Sequence, residues 1–299
     1  MFNNRVNIEA TYFRKLSTDA LFQNPLPPSF GAGASQWQNI AAVLNAGGEL
    51  SVDFQLLNRK WLTWSTRING SRIENKLVDA GKAQLAVTQG ARNVVGYPMF
   101  GLWARPIKRF ADANNDGILT ESEIVVGDTA EYKGPTLPVN EAGWSNTIGL
   151  FKNTVQISTL MDYRGGHYNQ WGFENQRCIS GNCQGVNDRS APLADQAAAV
   201  TTTSARLGNS VSGYFTPNDF IRFRELSVAY TLPVALAGKV KARTATVALV
   251  GRNIGLIWTR FPGIDPETNG AVANNGGGNN DFFSAPLLRY WTLRVNLGY

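Results

Sequence analysis

The chain has 299 residues, 43% of them hydrophobic and only 17% charged, with a formal net charge of +6. No apolar run approaches the roughly 18 residues of a membrane helix, and the 28 Lys and Arg are scattered with no basic cluster, which argues against a nucleic-acid partner. A single histidine, His167, excludes a histidine-based metal or catalytic cluster.

Low charge with 8 Trp and 30 Gly leaves two all-β classes open. One is a soluble β-protein. The other is a membrane barrel whose apolar residues fall at every second position. The opening residues, Met1-Phe2-Asn3-Asn4-Arg5, hold no basic stretch followed by an apolar one, so no signal peptide is expected. A membrane barrel with this start is expected to be a fragment.

Strand side chains alternate between faces, so period-two patterning predicts two-faced strands. In Arg5–Phe13, Val6, Ile8, Ala10 and Tyr12 oppose Arg5, Asn7, Glu9 and Thr11. Residues 16–38 read as a long loop. Asn39–Leu57 carries the strongest signal, with Ile40, Leu44, Leu50, Val52, Phe54 and Leu56 against Asn39, Asn45, Glu49, Ser51, Asp53 and Gln55. This segment spans roughly 18 residues, beyond the about 3–10 of ordinary globular strands. After a tight turn at Asn58-Arg59-Lys60, Trp61–Ser71 alternates again.

Residues 72–142 read as a second long loop, in which the apolar patch Tyr97–Ile107 is expected to stay outside the wall. Within it, Asp112-Ala-Asn-Asn-Asp-Gly-Ile-Leu-Thr-Glu-Ser-Glu123 matches the twelve-residue calcium loop in full. Asp112, Asn114, Asp116, Thr120 and Glu123 would supply side-chain oxygens, and Ile118 its carbonyl. Gly117 sits where a sharp turn is needed. The flanks lack a helical stripe, so a structural Ca2+ bracing a loop is expected, with a metal-free turn as the alternative.

Gly143–Phe151 and Thr154–Tyr163 are the next strand candidates, joined by a tight turn at Phe151-Lys152-Asn153. Residues 164–218 read as a third long loop containing Cys178-Ile-Ser-Gly-Asn-Cys183. Two cysteines alone cannot complete a zinc site. A local disulfide formed in an oxidising compartment is expected, and two free thiols are the alternative. Asp219–Thr231, a connection at Leu232–Ala242, and Arg243–Asn253 follow. Residues 254–287 form a fourth loop, including a low-complexity tract at 269–281 and Asp265-Pro266-Glu267, which reads as a rigid turn. The final segment places Trp291, Leu293, Val295, Leu297 and Tyr299 on one face.

Short and long connections alternate, as in an up-and-down membrane barrel with brief periplasmic turns and long outer loops. The expected fold is therefore all-β, a partial transmembrane antiparallel barrel.

The order of several motifs resembles the TonB-dependent outer-membrane receptors of the SusC/RagA branch, in their C-terminal part. These are Asn39-Ile-Ala-Ala-Val-Leu-Asn-Ala-Gly-Gly-Glu49, Asp112–Gly117, Phe220-Ile-Arg-Phe-Arg-Glu-Leu-Ser-Val-Ala-Tyr-Thr-Leu-Pro233, Gly251-Arg-Asn253 with Trp258, and Gly263-Ile-Asp-Pro-Glu267. The resemblance spans residues 1–299 and implies about eight of the roughly 22 strands of such a barrel, with plug domain and early strands absent. It implies energised import of glycans or peptides across the outer membrane, and no catalysis. The implied partners are a SusD-like surface lipoprotein, TonB acting through the missing N-terminal part, and outer-membrane lipid. Tyr97, Trp103, Tyr163, Tyr168, Trp171, Phe282 and Phe283 would either stack on ligand or pack the loops together. A small self-contained porin and a soluble calcium-binding β-adhesin are the competing readings. No nucleophile–base constellation points to an enzyme.

Overall fold

The period-two segments all lie in one antiparallel sheet of eight strands, hydrogen-bonded in chain order. The structure, a computed structural model, describes residues 5–31, 35–81, 89–268, 280–282 and 284–299. The wall consists of β1 (Val6–Pro25), β2 (Ser35–Arg59), β3 (Leu62–Asp79), β4 (Asn140–Leu150), β5 (Val155–Gly165), β6 (Phe220–Thr231), β7 (Thr244–Thr259) and β8 (Tyr290–Gly298).

Register turns the sequence alternation into rows. One apolar row crosses β3 to β8 as Trp64, Ile148, Ile157, Val228, Leu249 and Leu293. A parallel row runs Ile8, Val52, Ile68, Trp144 and Met161 from β1 to β5. The opposite face carries Gln55, Ser65, Thr147, Ser158 and Ser227 in register. The apolar rows are not buried under a second layer: Ile8 is 54%, Leu249 47% and Leu293 68% exposed. A soluble sandwich would bury such rows between two sheets.

All the tight connections fall at one end of the sheet. Lys60 and Trp61 join β2 to β3, and Phe151–Thr154 join β4 to β5. The latter turn is unusual, with Phe151, Lys152 and Asn153 all left-handed at φ 53, 59 and 64. A short helix, Val234–Lys239, lies between β6 and β7. The excursions after β3, β5 and β7 all leave from the other end. Among the described residues β1 and β8 do not pair with each other, so the sheet does not close on itself.

Four expectations about loops are corrected. Residues 16–38 are mostly strand, because β1 runs to Pro25 and β2 starts at Ser35, giving a tall hairpin. A bulge between Ser17 and Ala20, with Asp19 at φ 53, breaks the alternation there and hides the strand. Similarly, β3 continues to Asp79 and β7 to Thr259. Residues 164–218 fold into three helices, α1 (Gly172–Ile179), α2 (Gln184–Asn187) and α3 (Leu193–Thr203). Of the low-complexity tract expected at 269–281, positions 269–279 lie outside the described residues.

The 72–142 excursion builds its own small sheets. Gly90–Arg92, Gly101–Ala104 and Glu131–Gly134 form one of three strands, and Ile107–Phe110 pairs with Ile124–Val126 in another. The patch Tyr97–Ile107 thus stays out of the wall. The buried clusters lie mainly in these excursions, for example Leu119, Ile124, Ala197 and Leu207, or Leu102, Ala104 and Phe215.

Candidate functional site

The long-connection end gathers the residues that carry chemistry. The calcium-pattern loop sits at the tip of the Ile107–Phe110 and Ile124–Val126 hairpin, flanked by strands and not helices. Asn115 at φ 57 and Gly117 at φ 79 make its tight reversal. Asp112 accepts from the N–H of Asp116 at 3.2 Å and of Gly117 at 2.9 Å. Asp116 accepts from Ile118 N–H at 2.8 Å, and Asn114 Nδ2 donates to Asp116 at 2.8 Å. Glu123 closes the loop, accepting from Ala113 N–H and Thr120 N–H, both at 2.9 Å, and from the Thr120 hydroxyl at 2.8 Å. These bonds, Thr120 N–H first, hold the Glu123 carboxyl below the usual carboxylate range. The donor set is all oxygen and three of its six members are carboxylates, which suits a hard cation such as Ca2+. Among the described residues, however, three such ligand atoms come within 4.8 Å of one another only at Glu174 and the bonded Cys178 and Cys183, so the carboxylates of Asp112, Asp116 and Glu123 are not drawn together here.

Helices α1 to α3 form a cap beside this loop. Cys178 and Cys183 are bonded to each other, and they pack with Ala198, Ala199 and Tyr214. Thr202 Oγ1 donates to Asn175 Oδ1 at 2.7 Å, joining α3 to α1. The disulfide closes a very short loop, so chain entropy gives it roughly 2 kcal/mol. Replacing both Cys178 and Cys183 with Ala should speed amide exchange in α1 about tenfold or more and leave the wall strands unaffected, which hydrogen-exchange mass spectrometry reads directly.

The aromatics divide. Tyr97, Trp103 and Tyr132 stack on one another, with Tyr97 and Trp103 centroids 4.8 Å apart and edge-on. Trp103 is buried, Tyr168 packs against Leu102, Ala104 and Phe215, and Trp171 packs against the disulfide cluster. These three hold the excursions together. Tyr163 and Phe282 are half-buried, and Phe283 lies outside the described residues.

A charged latch sits where β5, β6 and the β7–β8 excursion meet, and it uses the carboxylates of Asp265-Pro266-Glu267, which forms the expected turn, with Thr268 N–H donating to Asp265 O at 3.2 Å. Arg222 and Arg224 project from the polar face of β6. Arg222 Nη2 donates to Asp265 Oδ1 at 2.5 Å. Its Nε lies 2.8 Å from a Glu267 oxygen, close enough for an ion pair but not aligned as a hydrogen bond. Arg224 grips Asp162 through two bonds of 2.7 Å and Glu267 through two of 2.6 Å. Leu160 pairs with Glu225 and Met161 with Phe223, leaving Arg224 as the extra residue of a bulge. The bulge lets Arg224 and Glu225 share the polar face, where Glu225 meets Arg252 at 2.9 Å. Two of the family-like motifs are therefore locked together by ion pairs. The available signal was the matched spacing, arginines at 222 and 224 and carboxylates at 265 and 267.

His167 and Asn218 lie beneath this latch. Both are buried, Asn218 Nδ2 approaches His167 Nε2 at 3.0 Å, and it also donates to Pro266 O at 2.8 Å. Burial, partly opposed by Asp219, lowers the His167 pKa from 6.5 to about 4. The unfolded chain therefore takes up this proton first. Stability is full above about pH 6.5, declines as pH falls toward about 4, and stays reduced below that. His167→Gln should flatten this acid-side decline, as measured by urea midpoints at pH 7 and pH 5.

No family model matches the chain. Two curated relatives, TonB-dependent receptor P3 and TonB-dependent receptor P26 of Formosa agariphila, are each 26% identical over 338 and 343 aligned positions, covering 100% of this chain and 33% of each relative. The chain thus spans about a third of the length of the curated relatives it matches. A solved structure of the RagAB peptide transporter superimposes with a TM-score of 0.74 at 18% identity, covering 99% of this chain and 34% of that one. The RagAB peptide importer in its open-open state gives 0.71 at 19% identity, with 100% and 33% covered. Similarity to TonB-dependent receptors therefore extends along the whole chain, and its fold is that of the corresponding third of a RagAB chain.

Proposed function

We propose that this chain is a wall segment of a TonB-dependent outer-membrane importer, its apolar face against lipid and its polar face lining the lumen. The carrying observation is the apolar row from Trp64 to Leu293, in register over six strands, with none of its members buried and Val228, Leu249 and Leu293 exposed. Lipid is the solvent such a face needs. A self-contained porin would need β1 and β8 to pair, and a soluble adhesin would need its apolar rows covered.

In the complete receptor the rest of the wall and a plug would complete the lumen, TonB would act through that remaining part, and a SusD-like lipoprotein would cover the outer end. Peptide is the favoured cargo class, because RagAB is a peptide transporter by name, and glycans are the second. The loop at Asp112–Glu123 would hold a structural Ca2+ through Asp112, Asn114, Asp116, the Ile118 carbonyl, Thr120 and Glu123.

The test is uptake by cells making the full-length protein. The reading expects the protein in the outer-membrane fraction, extractable only with detergent, and accumulation of fluorescent oligopeptides that stops when the proton gradient is collapsed. Recovery in the soluble fraction would overturn it.

A further inference from the structure

We infer that Gln196 positions the Ile118 carbonyl for calcium and thereby couples the ion to the helical cap; this rests on the calcium reading above. Gln196 lies on α3 and is 3% exposed. Its Oε1 accepts from the Leu119 N–H at 2.9 Å. Its Nε2 donates to Gly117 O and to Ala191 O, both at 3.1 Å. A buried amide from a distant helix thus clasps the middle of the loop.

The place of that clasp matters. The Leu119 N–H and the Ile118 C=O belong to one planar peptide unit, in which they point in opposite directions. Ile118 is the residue whose carbonyl the ligand pattern uses. Holding the N–H on Gln196 fixes the plane, aims the carbonyl away from the helix and toward the ligand side of the loop, and increases its negative polarisation. An outer partner of this kind orients a metal ligand without touching the metal. The neighbouring Gly117 O bond fixes the preceding peptide, so the tight turn cannot rotate independently.

The same residue ties the loop to the cap. Leu119 packs with Ala197 of α3, and Ile124 and Leu207 complete that cluster. Farther along, Arg206 Nε donates to Glu121 Oε2 at 2.8 Å. Through Ala198, Ala199 and Thr202, α3 passes the restraint to α1 and the disulfide. An ion that stiffens residues 112–123 therefore stiffens residues 172–203.

The experiment uses the full-length receptor in detergent, with Ca2+ alone as the probe. Calorimetric titration reads affinity, and hydrogen exchange with calcium or with chelator reads the cap. Wild type should bind one Ca2+ at this loop and slow α3 exchange about tenfold. Glu123→Gln should abolish both effects. Gln196→Met keeps the side-chain volume but loses both polar ends, and should weaken calcium about 10–100-fold. Gln196→Glu with its buried carboxyl protonated retains an acceptor for Leu119 N–H and an O–H for the Gly117 or Ala191 carbonyl. Titrated in mildly acidic buffer it should stay within a few-fold of wild type in the same buffer, which a packing role alone would not separate from Met. Absence of calcium binding in wild type would sink the calcium reading itself. Binding that leaves α3 exchange unchanged, or unchanged affinity in Gln196→Met, would overturn the coupling alone. If Gln196→Met does not fold, the comparison of wild type with Glu123→Gln in calcium and chelator decides the coupling.

Discussion

Replacing Arg222 with Ala should destabilise the latch at the outer end by about 3–5 kcal/mol. Arg222 is 3% and Asp265 6% exposed, so the substitution strands a carboxylate that water cannot reach. The loss comes from the uncompensated charge of Asp265, more than from the value of the pair itself. Among the described residues the Asp265 carboxylate keeps only the Glu267 N–H at 2.9 Å, while Glu267 keeps Arg224. The double variant Arg222→Met with Asp265→Leu should recover most of the loss, because replacing a whole buried pair with apolar groups is close to neutral. Hydrogen exchange over residues 260–268 and urea unfolding read the effect. A single substitution as mild as the double one would show that water reaches the latch.

Leu249→Arg should cost about 2–4 kcal/mol for folding into lipid vesicles. Leu249 sits in the apolar row between Val228 and Leu293 and is 47% exposed. In water an exposed Arg there would be nearly harmless. In hydrocarbon it loses its hydration, and no acidic neighbour in the row offsets the loss. Ser227→Arg, in the polar row of β6, should cost less than 1 kcal/mol by comparison, since its face opens to an aqueous lumen. Equal costs at the two positions would remove the distinction between the faces.

The wall was legible in the sequence because an exposed sheet face leaves an uninterrupted period of two. Val6 to Tyr12 and Leu293 to Tyr299 needed no further information. The tops of the strands were not legible. At Ser17–Ala20 a bulge resets the alternation, and β1 continues on the other side of it to Pro25. The cap was missed for another reason. α1 and α2 are 8 and 4 residues long, shorter than the window in which helical periodicity can be read. α3, Leu-Ala-Asp-Gln-Ala-Ala-Ala-Val-Thr-Thr-Thr, is buried on several sides, so it has no clean apolar stripe. The calcium pattern was local and therefore visible. Its clasp by Gln196, and the arginine latch, join residues 77 and 43 apart, and period and propensity carry no information over such distances.

The proposed wall requires β6 and its neighbours to separate lipid from an aqueous lumen. Single spin labels at Ser227, Val228, Ala229 and Tyr230 of the full-length receptor in bilayers test this most directly, by collision with oxygen and with a water-soluble nickel complex. Labels at 228 and 230 should favour oxygen, and labels at 227 and 229 should favour nickel, in strict alternation. Nickel access to 228 and 230 equal to that at 227 and 229 would contradict a lipid-facing wall.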